Sequence, residues 1–469
     1  MTYSSERQLG AHAVVIGGSI AGLAAARILS EHFGKVTVIE RDPAPQGPEA
    51  RKGAPQMRHA HALLGAANFT LEKMYPGIIT QMERAGALLI DSAADVAMYQ
   101  YGGWKPRFVA GFQTLNASRP FLEWHIRKRT ESIANVEVRH ERVVDRLLTT
   151  SSGERVTGVV VKYGAHETNL LADLVVDAAG RGTRAPRWLE AMGYERPIEQ
   201  EVKVDLAYTS RIYEKPGNFA GDWRGLGIYS RLPGHRAAFI FEVEHGHWVV
   251  SFPGYFKDHC PTDEEGLLAY ARSLPVPDAY EAIRHAKPLT DIAIHKVPSS
   301  RWFRYDKMTR FPERFIAIGD SVSSLNPAFG QGMLVSLQGV DKLSMLLAER
   351  VIKRQGLYGL PLEAQVKIAE VVLPAWLLST TMDLRYPQTV GDRPFGIGTV
   401  QRIFVDMLDM TSMNEDACRV FYDMLHMRRG PEALFDRRML LPLLEYMATS
   451  PFIPLDKRIR SGPRPLAPA

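Results

Sequence analysis

A chain of 469 residues with 45% hydrophobic and 23% charged side chains can bury a large core and divide into more than one lobe. Its formal charge of +5 is small for this length, so nucleic acid is not an expected partner, while an anionic cofactor or substrate suits the mild basic excess. Two cysteines, Cys260 and Cys418, make neither a disulfide framework nor a metal-ligand spacing, and no apolar run approaches the roughly 20 residues of a membrane span. A soluble, cytoplasmic protein without a metal is the expectation.

The chain opens with a strand (HAVVIGG), a helix with apolar residues at three-to-four spacing (SIAGLAAARILSEHFG) and a second strand (KVTVIER), a βαβ unit. Residues 43–60 are rich in proline and glycine and predict an extended loop. Helices are expected at LLGAANFTLEKMYPG and RPFLEWHIRKRTESI, with the basic run HIRKR (His125 to Arg129) on a solvated face. Alternating segments follow at VEVRHERVVDRLL and GERVTGVVVKYG, then a strand and glycine-rich turn, LLADLVVDAAGRGTR. From 196 to 300 the pattern is alternating and aromatic, with EHGH (Glu244 to His247) as a hairpin signal between two runs. This predicts a mostly antiparallel substrate sheet inserted into an α/β frame. Residues 1–195 form the first part of that frame and 301–355 the second, with a helical region at 356–460 and a disordered tail at 461–469.

Two glycine loops carry the chemistry. GGSIAG (Gly17, Gly18, Ser19, Ile20, Ala21, Gly22) follows a strand and opens a helix with the spacing of a dinucleotide fingerprint, Ser19 standing at the middle glycine. Glycines permit the tight turn, the approach of a pyrophosphate to backbone N–H groups and close helix packing. Glu40 ends the second strand, where a carboxylate accepts the ribose hydroxyls of an adenosine. The second loop, GDSVSSLNPAFGQGM (Gly319 to Met333), joins a strand to a helix and contains no basic residue, unlike a separate mononucleotide site. One elongated cofactor touched at both ends accounts for both loops. Asp320 is placed to receive a ribityl hydroxyl, and the helix start to favour a reduced, anionic flavin ring.

GGSIAG, Glu40, Arg119 and GDSVSSLNPAFGQG together resemble the FAD-dependent monooxygenases of the aromatic-hydroxylase (group A) type over residues 12 to 350. RKGAPQMRHAHALL, VVDAAGRGTR and PAWLLSTTMDLRYPQTVGDRPFG are similar to flavin-dependent epoxidases of polyether polyketide biosynthesis. The resemblance implies a Rossmann-like FAD-binding (GR2) fold of the α/β class with an inserted antiparallel-sheet domain and a helical C-terminal region. It implies pyrophosphate contacts from Gly17, Gly18, Ser19 and Gly22, ribose contact from Glu40, cofactor contacts from Arg41 and Arg51, and phosphate or ribityl contact from Arg119. Val143 would present its backbone to adenine, and Gly180, Gly319 and Asp320 would meet the middle of the cofactor. Pro327, Gly330, Gly332 and Met333 would line the flavin ring.

Three positions depart from the family pattern: Ala179-Gly180 stands where Asp-Gly is usual, Ser323 where a histidine is common, and Met333 where asparagine is frequent. The first puts direct NAD(P)H use in question and makes a separate flavin reductase the alternative electron source. In the reaction the family implies, reduced flavin and O2 form a C4a-hydroperoxide that delivers one oxygen atom. The expected step is epoxidation of a large apolar polyketide-like or terpenoid alkene, with aromatic hydroxylation as the alternative. A non-oxygenating flavin reductase or cyclase and a flavin halogenase are further alternatives, although none of the seven tryptophans has another two positions away, as a halogenase Trp-x-Trp motif requires. His59, His61 and Arg51 are candidates for tuning the flavin, the two histidines being read first as hydrogen-bonded loop residues. Tyr208, Phe239, Phe241, Trp248 and Phe252 are candidate substrate contacts.

Overall fold

The computed structural model describes residues 8–452, so the tail expected at 461–469 lies outside the described residues. A five-stranded parallel sheet runs in the order Phe315–Ala317, Leu174–Asp177, Gly10–Ile16, Phe33–Ile39, Val136–Arg139. Its central strand ends in four consecutive buried residues, Ala13 to Ile16, the near-continuous apolar pattern of a parallel strand covered on both faces. Helices Ile20–Leu29 and Gly332–Ile352 pack on this sheet and on one another. A three-stranded antiparallel sheet (Val143–Thr149, Val156–Tyr163, His166–Leu171) adjoins it.

The second layer is an eight-stranded sheet that reaches outside residues 196–300. Its order is Ser323–Ser324, Ala293–Phe303, Glu199–Glu214, His247–Gly254, Ala237–Val243, Gly225–Tyr229, Val96–Gln100, Gly103–Trp104. Strands 96–100 and 103–104 come from the first third of the chain, and 225–229 pairs with 96–100 in parallel; the other pairings are antiparallel. The hairpin signal at EHGH marks a real turn, with His245 and Gly246 both at positive φ between strands paired at Val243 and His247. Beyond residue 356 the described chain is helical: Leu360–Asp383, Ile397–Met410, Glu415–Leu425 and Arg437–Thr449. No helix among the described residues is long and apolar enough to cross a membrane.

Candidate functional site

The strand Gly10–Ile16 ends at Gly17, whose φ of +101° turns the chain into the first helix. A methyl group on Gly17 would stand 2.5 Å from Ala178 O, and one on Gly22 would stand 1.8 Å from Gly17 O. Both positions admit only glycine because backbone passes directly against them. Ser19 is the N-cap of Ile20–Leu29, yet its side chain does not cap, and the first turn carries no acid. Its hydroxyl instead donates to Glu123 Oε2 at 2.6 Å. No side chain caps this helix N-terminus, and an uncapped helix start is an anion-binding arrangement.

Glu40 accepts Gly18 N–H on one oxygen and Asp42 N–H on the other, each at 2.9 Å. Its own carbonyl accepts Arg142 N–H at 2.9 Å, which brings Val143, 47% exposed, to the same end of the sheet. Arg41 is exposed and donates to Gly53 O at 2.6 Å, holding the proline- and glycine-rich loop.

Arg51 corrects one expectation: it lies at the Glu40 end, not where a flavin ring is expected. Its guanidinium meets Asp42 at 2.7 Å, Glu123 at 2.6 Å and Glu40 at 3.2 Å. Arg119, Glu123 and Arg127 follow at four-residue spacing along the helix Arg119–Glu131 and share its buried face. Arg119 reaches Ser19 Oγ at 2.9 Å and Glu123 at 3.3 Å; Arg127 reaches Glu123 at 3.2 Å and also bonds Gly18 O. Glu123, 2% exposed, is therefore the hub of the group. Burial works to raise its carboxyl, but Arg119, Arg51, the Ser19 hydroxyl and Arg127 outweigh burial and hold it below its ordinary value. Buried nitrogens Arg119 Nε and Arg127 Nη1 have no partner among the described residues. Two cations with donors to spare beside an open helix N-terminus suit a diphosphate. Neither Glu123 nor Arg127 was singled out in the sequence, and Arg127 corrects the solvated-face reading of HIRKR: it is 1% exposed.

The second loop touches the first. A methyl group on Gly319 would stand 3.0 Å from Ala21 Cβ, and one on Gly180 would stand 4.0 Å from Asp320 Cβ. Gly180 N–H donates to Ser321 Oγ at 2.9 Å. Asp320 is reached by solvent but recessed: desolvation raises its carboxyl above the ordinary value, while Arg181, Arg119 and Arg301 oppose that rise. It follows Gly319, the residue of the second motif that approaches Ala21 of the first. Arg181, also missed in the sequence, bonds Ser324 Oγ at 2.9 Å and Ser299 O at 2.6 Å, tying the Gly180 turn to the large sheet. Beyond it, Pro327–Phe329 form a short turn, Gly330 adopts φ +69°, and the helix Gly332–Ile352 begins without a side-chain cap or an acid in its first turn. No atom lies within 4 Å of where a Gly332 Cβ would be. Met333 packs at the edge of the core beside it, and Ser323 is buried with its hydroxyl unpartnered.

The histidine loop is bonded to the large sheet through His59 and Ala60. His59 is 6% exposed, and its Nδ1 pairs with Ser210 Oγ at 2.7 Å, which in turn meets Ser251 Oγ at 2.5 Å. His61 Nδ1 lies 2.8 Å from His59 O. A carbonyl only accepts, so Nδ1 carries the proton and Nε2 is left with its lone pair. Burial lowers His59 to about 3 and His61 to about 4, with His295 and Arg119 respectively as the next causes. Ala62 and Leu64 stand 3.9 and 4.0 Å from a methyl group placed on Gly330, so this loop borders the second glycine loop. No cluster of metal-ligating side chains occurs among the described residues, and both cysteines are buried and unpaired.

The sheet separates the five aromatic candidates. Tyr208 and Phe239 pack with Tyr255 and Ala328, with Phe241 against them, on the face that meets the glycine loop. Trp248 and Phe252 lie on the opposite face, in the core formed with Leu267, Tyr270 and Ile283 of the helices Glu264–Arg272 and Asp278–Ile283. Trp248 and Phe252 are therefore structural. Alternation along a strand gives two faces, and here the covering helices decide which one is walled off.

No protein-family model matches the chain. It is 34% identical over 392 residues to Protein Rv3254 of Mycobacterium tuberculosis, covering 80% of each chain. Among solved structures, p-nitrophenol 4-monooxygenase PnpA of Pseudomonas putida DLL-E4 is similar at TM-score 0.62 and 15% identity, covering 93% of this chain and 98% of that one. The flavin-dependent halogenase CmlS is similar at TM-score 0.63 and 15% identity, covering 93% and 77%. The chain thus has the fold of flavin-dependent monooxygenases and halogenases: a parallel α/β frame, a large mixed sheet and a helical C-terminal region.

Proposed function

We propose that this chain, which belongs to the same family as Protein Rv3254 of Mycobacterium tuberculosis, is an FAD-dependent monooxygenase. The observation that carries the proposal is the close approach of the two glycine loops, where a methyl group on Gly319 would stand 3.0 Å from Ala21 Cβ. We read them on that ground as one crevice for a single dinucleotide rather than two sites. Glu40 would hold the adenosine ribose, with Val143 beside adenine. The N-terminus of Ile20–Leu29, Arg119 and Arg127 would hold the pyrophosphate, and Asp320 the ribityl chain. Residues 327–333 would lie along the ring.

When bound, FAD supplies the activation of O2 and the transfer of one oxygen atom. This chain's own residues orient the substrate and exclude water. Tyr208, Phe239 and Phe241 offer an apolar wall beside Ala328, which suits a large alkene of polyketide-like or terpenoid type and hence epoxidation. The unpartnered hydroxyl of buried Tyr208 favours, as a second reading, hydroxylation of a phenol whose own hydroxyl it bonds.

Electrons are expected from a separate flavin reductase. The exposed Ala179 offers no carboxylate to a nicotinamide, and the nearby Asp177 is fully buried, with Thr183 and Ala179 N–H bonded to it. Oxygen uptake and the mass shift of candidate substrates with isotope-labelled O2 and chemically reduced FAD test the proposal. FAD binding with no substrate-dependent incorporation across alkenes and phenols would count against it.

A further inference from the structure

The loop from Asn326 to Gly332 is fixed by a residue from the C-terminal helical region. Asn326 Oδ1 accepts Ala328 N–H at 3.0 Å and so sets the turn Pro327–Phe329. Asn326 Nδ2 donates to both oxygens of Asp383, at 2.9 and 3.1 Å, and to the Tyr255 hydroxyl at 3.0 Å. Asp383 is 1% exposed and is the last residue of Leu360–Asp383, where the helix dipole disfavours a negative charge. Among the described residues the Asn326 amide is the one hydrogen-bond donor to its carboxylate.

A cavity of about 20 Å3 touches Asp383, room for one water molecule. Tyr101, Tyr229, Tyr255 and Tyr386 wall it, together with His235, Arg236 and Arg385, which are half-buried and reach solvent. Tyr208 also faces Asp383 from the sheet, and the Arg385 guanidinium is drawn over the Tyr101 ring, 5.3 Å from its centroid.

We propose that Asp383 is a positioning residue for the loop at the flavin ring, setting residues 327–332 through Asn326 and exchanging its proton with solvent through the tyrosine-walled cavity. The proposal rests on the FAD reading above. In the ionised form both oxygens accept from Asn326. On protonation one oxygen gains a hydrogen and turns it to the cavity water or a tyrosine oxygen, leaving Asn326 a single acceptor. The proton thus enters from the cavity side, and no group in the crevice changes charge. Burial pushes the Asp383 carboxyl up to about 7, against the smaller opposing pull of the Asn326 bond, which puts both forms within reach at neutral pH.

Asp383→Asn separates proton from shape, since its amide oxygen still accepts from Asn326 but it cannot titrate. In the FAD-loaded wild type, flavin absorbance is expected to shift with pH around a midpoint near 7, while Asp383→Asn keeps FAD and shows no such midpoint. Asp383→Leu, lacking the acceptor, should weaken FAD binding about tenfold or more. A flat wild-type profile, or the same midpoint in Asp383→Asn, overturns the proposal. An infrared titration of FAD-free protein gives an independent reading: a protonated-carboxyl stretch titrating near pH 7 that vanishes in Asp383→Asn supports it, and its absence or persistence in the variant overturns it. Failure of the wild type to bind FAD would sink the monooxygenase reading, and the infrared band would still decide for or against Asp383.

Discussion

Replacing Glu123 with alanine tests the hub of the crevice. Glu123 accepts from Ser19, Arg51, Arg119 and Arg127 at 2.6 to 3.3 Å, and none of these three arginines is more than 9% exposed. Arg51 keeps Glu40 and Asp42, so its loss is partial. Among the described residues Arg119 and Arg127 make no other ion pair, Asp320 acting on Arg119 only from farther off, and both are left as buried cations. Removing one partner of a buried charge group costs about 3–5 kcal/mol, because the desolvated charge that remains is uncompensated. Urea denaturation of FAD-free protein at neutral pH should show a loss of this order for Glu123→Ala. Glu123→Gln, which keeps the acceptor oxygen, should show a smaller one. Added FAD should recover part of the loss in Glu123→Ala, since its diphosphate would pair with Arg119 and Arg127. A loss below about 1 kcal/mol, the range of an exposed pair, would refute the charge-balancing role. A loss that FAD leaves untouched would refute the placement of the diphosphate.

Gly22→Ala puts a methyl group 1.8 Å from Gly17 O and should abolish FAD retention, measured as flavin content of the purified protein. Asp320→Ala, by contrast, removes a solvent-reached side chain, so melting of the FAD-free protein should hardly change while FAD affinity falls tenfold or more, about 1.4 kcal/mol. His59 and His61 titrate below their ordinary value, at about 3 and 4. The unfolded chain therefore binds protons first, and stability complete above roughly pH 6.5 is lost as pH falls toward those values. Replacing His59 with asparagine should flatten that acid limb in pH-dependent melting; an unchanged slope would contradict its neutral burial. Stopped-flow mixing with NADPH should reduce the bound flavin slowly or not at all, and fast reduction would remove the argument from Ala179.

What was legible in the sequence is what neighbouring residues enforce. The run from His12 to Glu40 specifies a strand, a glycine turn, a helix and a strand-end acid through local sterics and periodicity alone, and the structure builds each of them. The second glycine loop was legible for the same reason. Arg119, Glu123 and Arg127 were legible only in part: their four-residue spacing puts them on one helix face, but nothing local distinguishes a buried face from a solvated one. The Ser19 hydroxyl and the Gly18 carbonyl, more than a hundred positions away, settle it. Arg51 shows the converse error, since a loop rich in proline and glycine does not announce which end of the crevice it will cover.

The sheet and the C-terminal helices illustrate a deeper limit. Trp248 and Phe252 share a strand with Ser251, and alternation alone does not say which aromatics of the sheet pack as core and which line a pocket. The helices at 264–283 occupy the side of Trp248 and Phe252, so the smaller residues Ser210 and Ser251 face the histidine loop instead. Asp383 is more hidden still, one acid at the end of a largely apolar helix, in a segment that carries a family resemblance but no local signal of a role for the acid. Its importance follows from Asn326, whose amide has one oxygen and two hydrogens and uses all three at once: Ala328 N–H on the oxygen, Asp383 and Tyr255 on the hydrogens. A loop that must stay open to a cofactor along its glycine N–H groups cannot be held from that side. It has to be held from behind, and the C-terminal region provides the residue that does so.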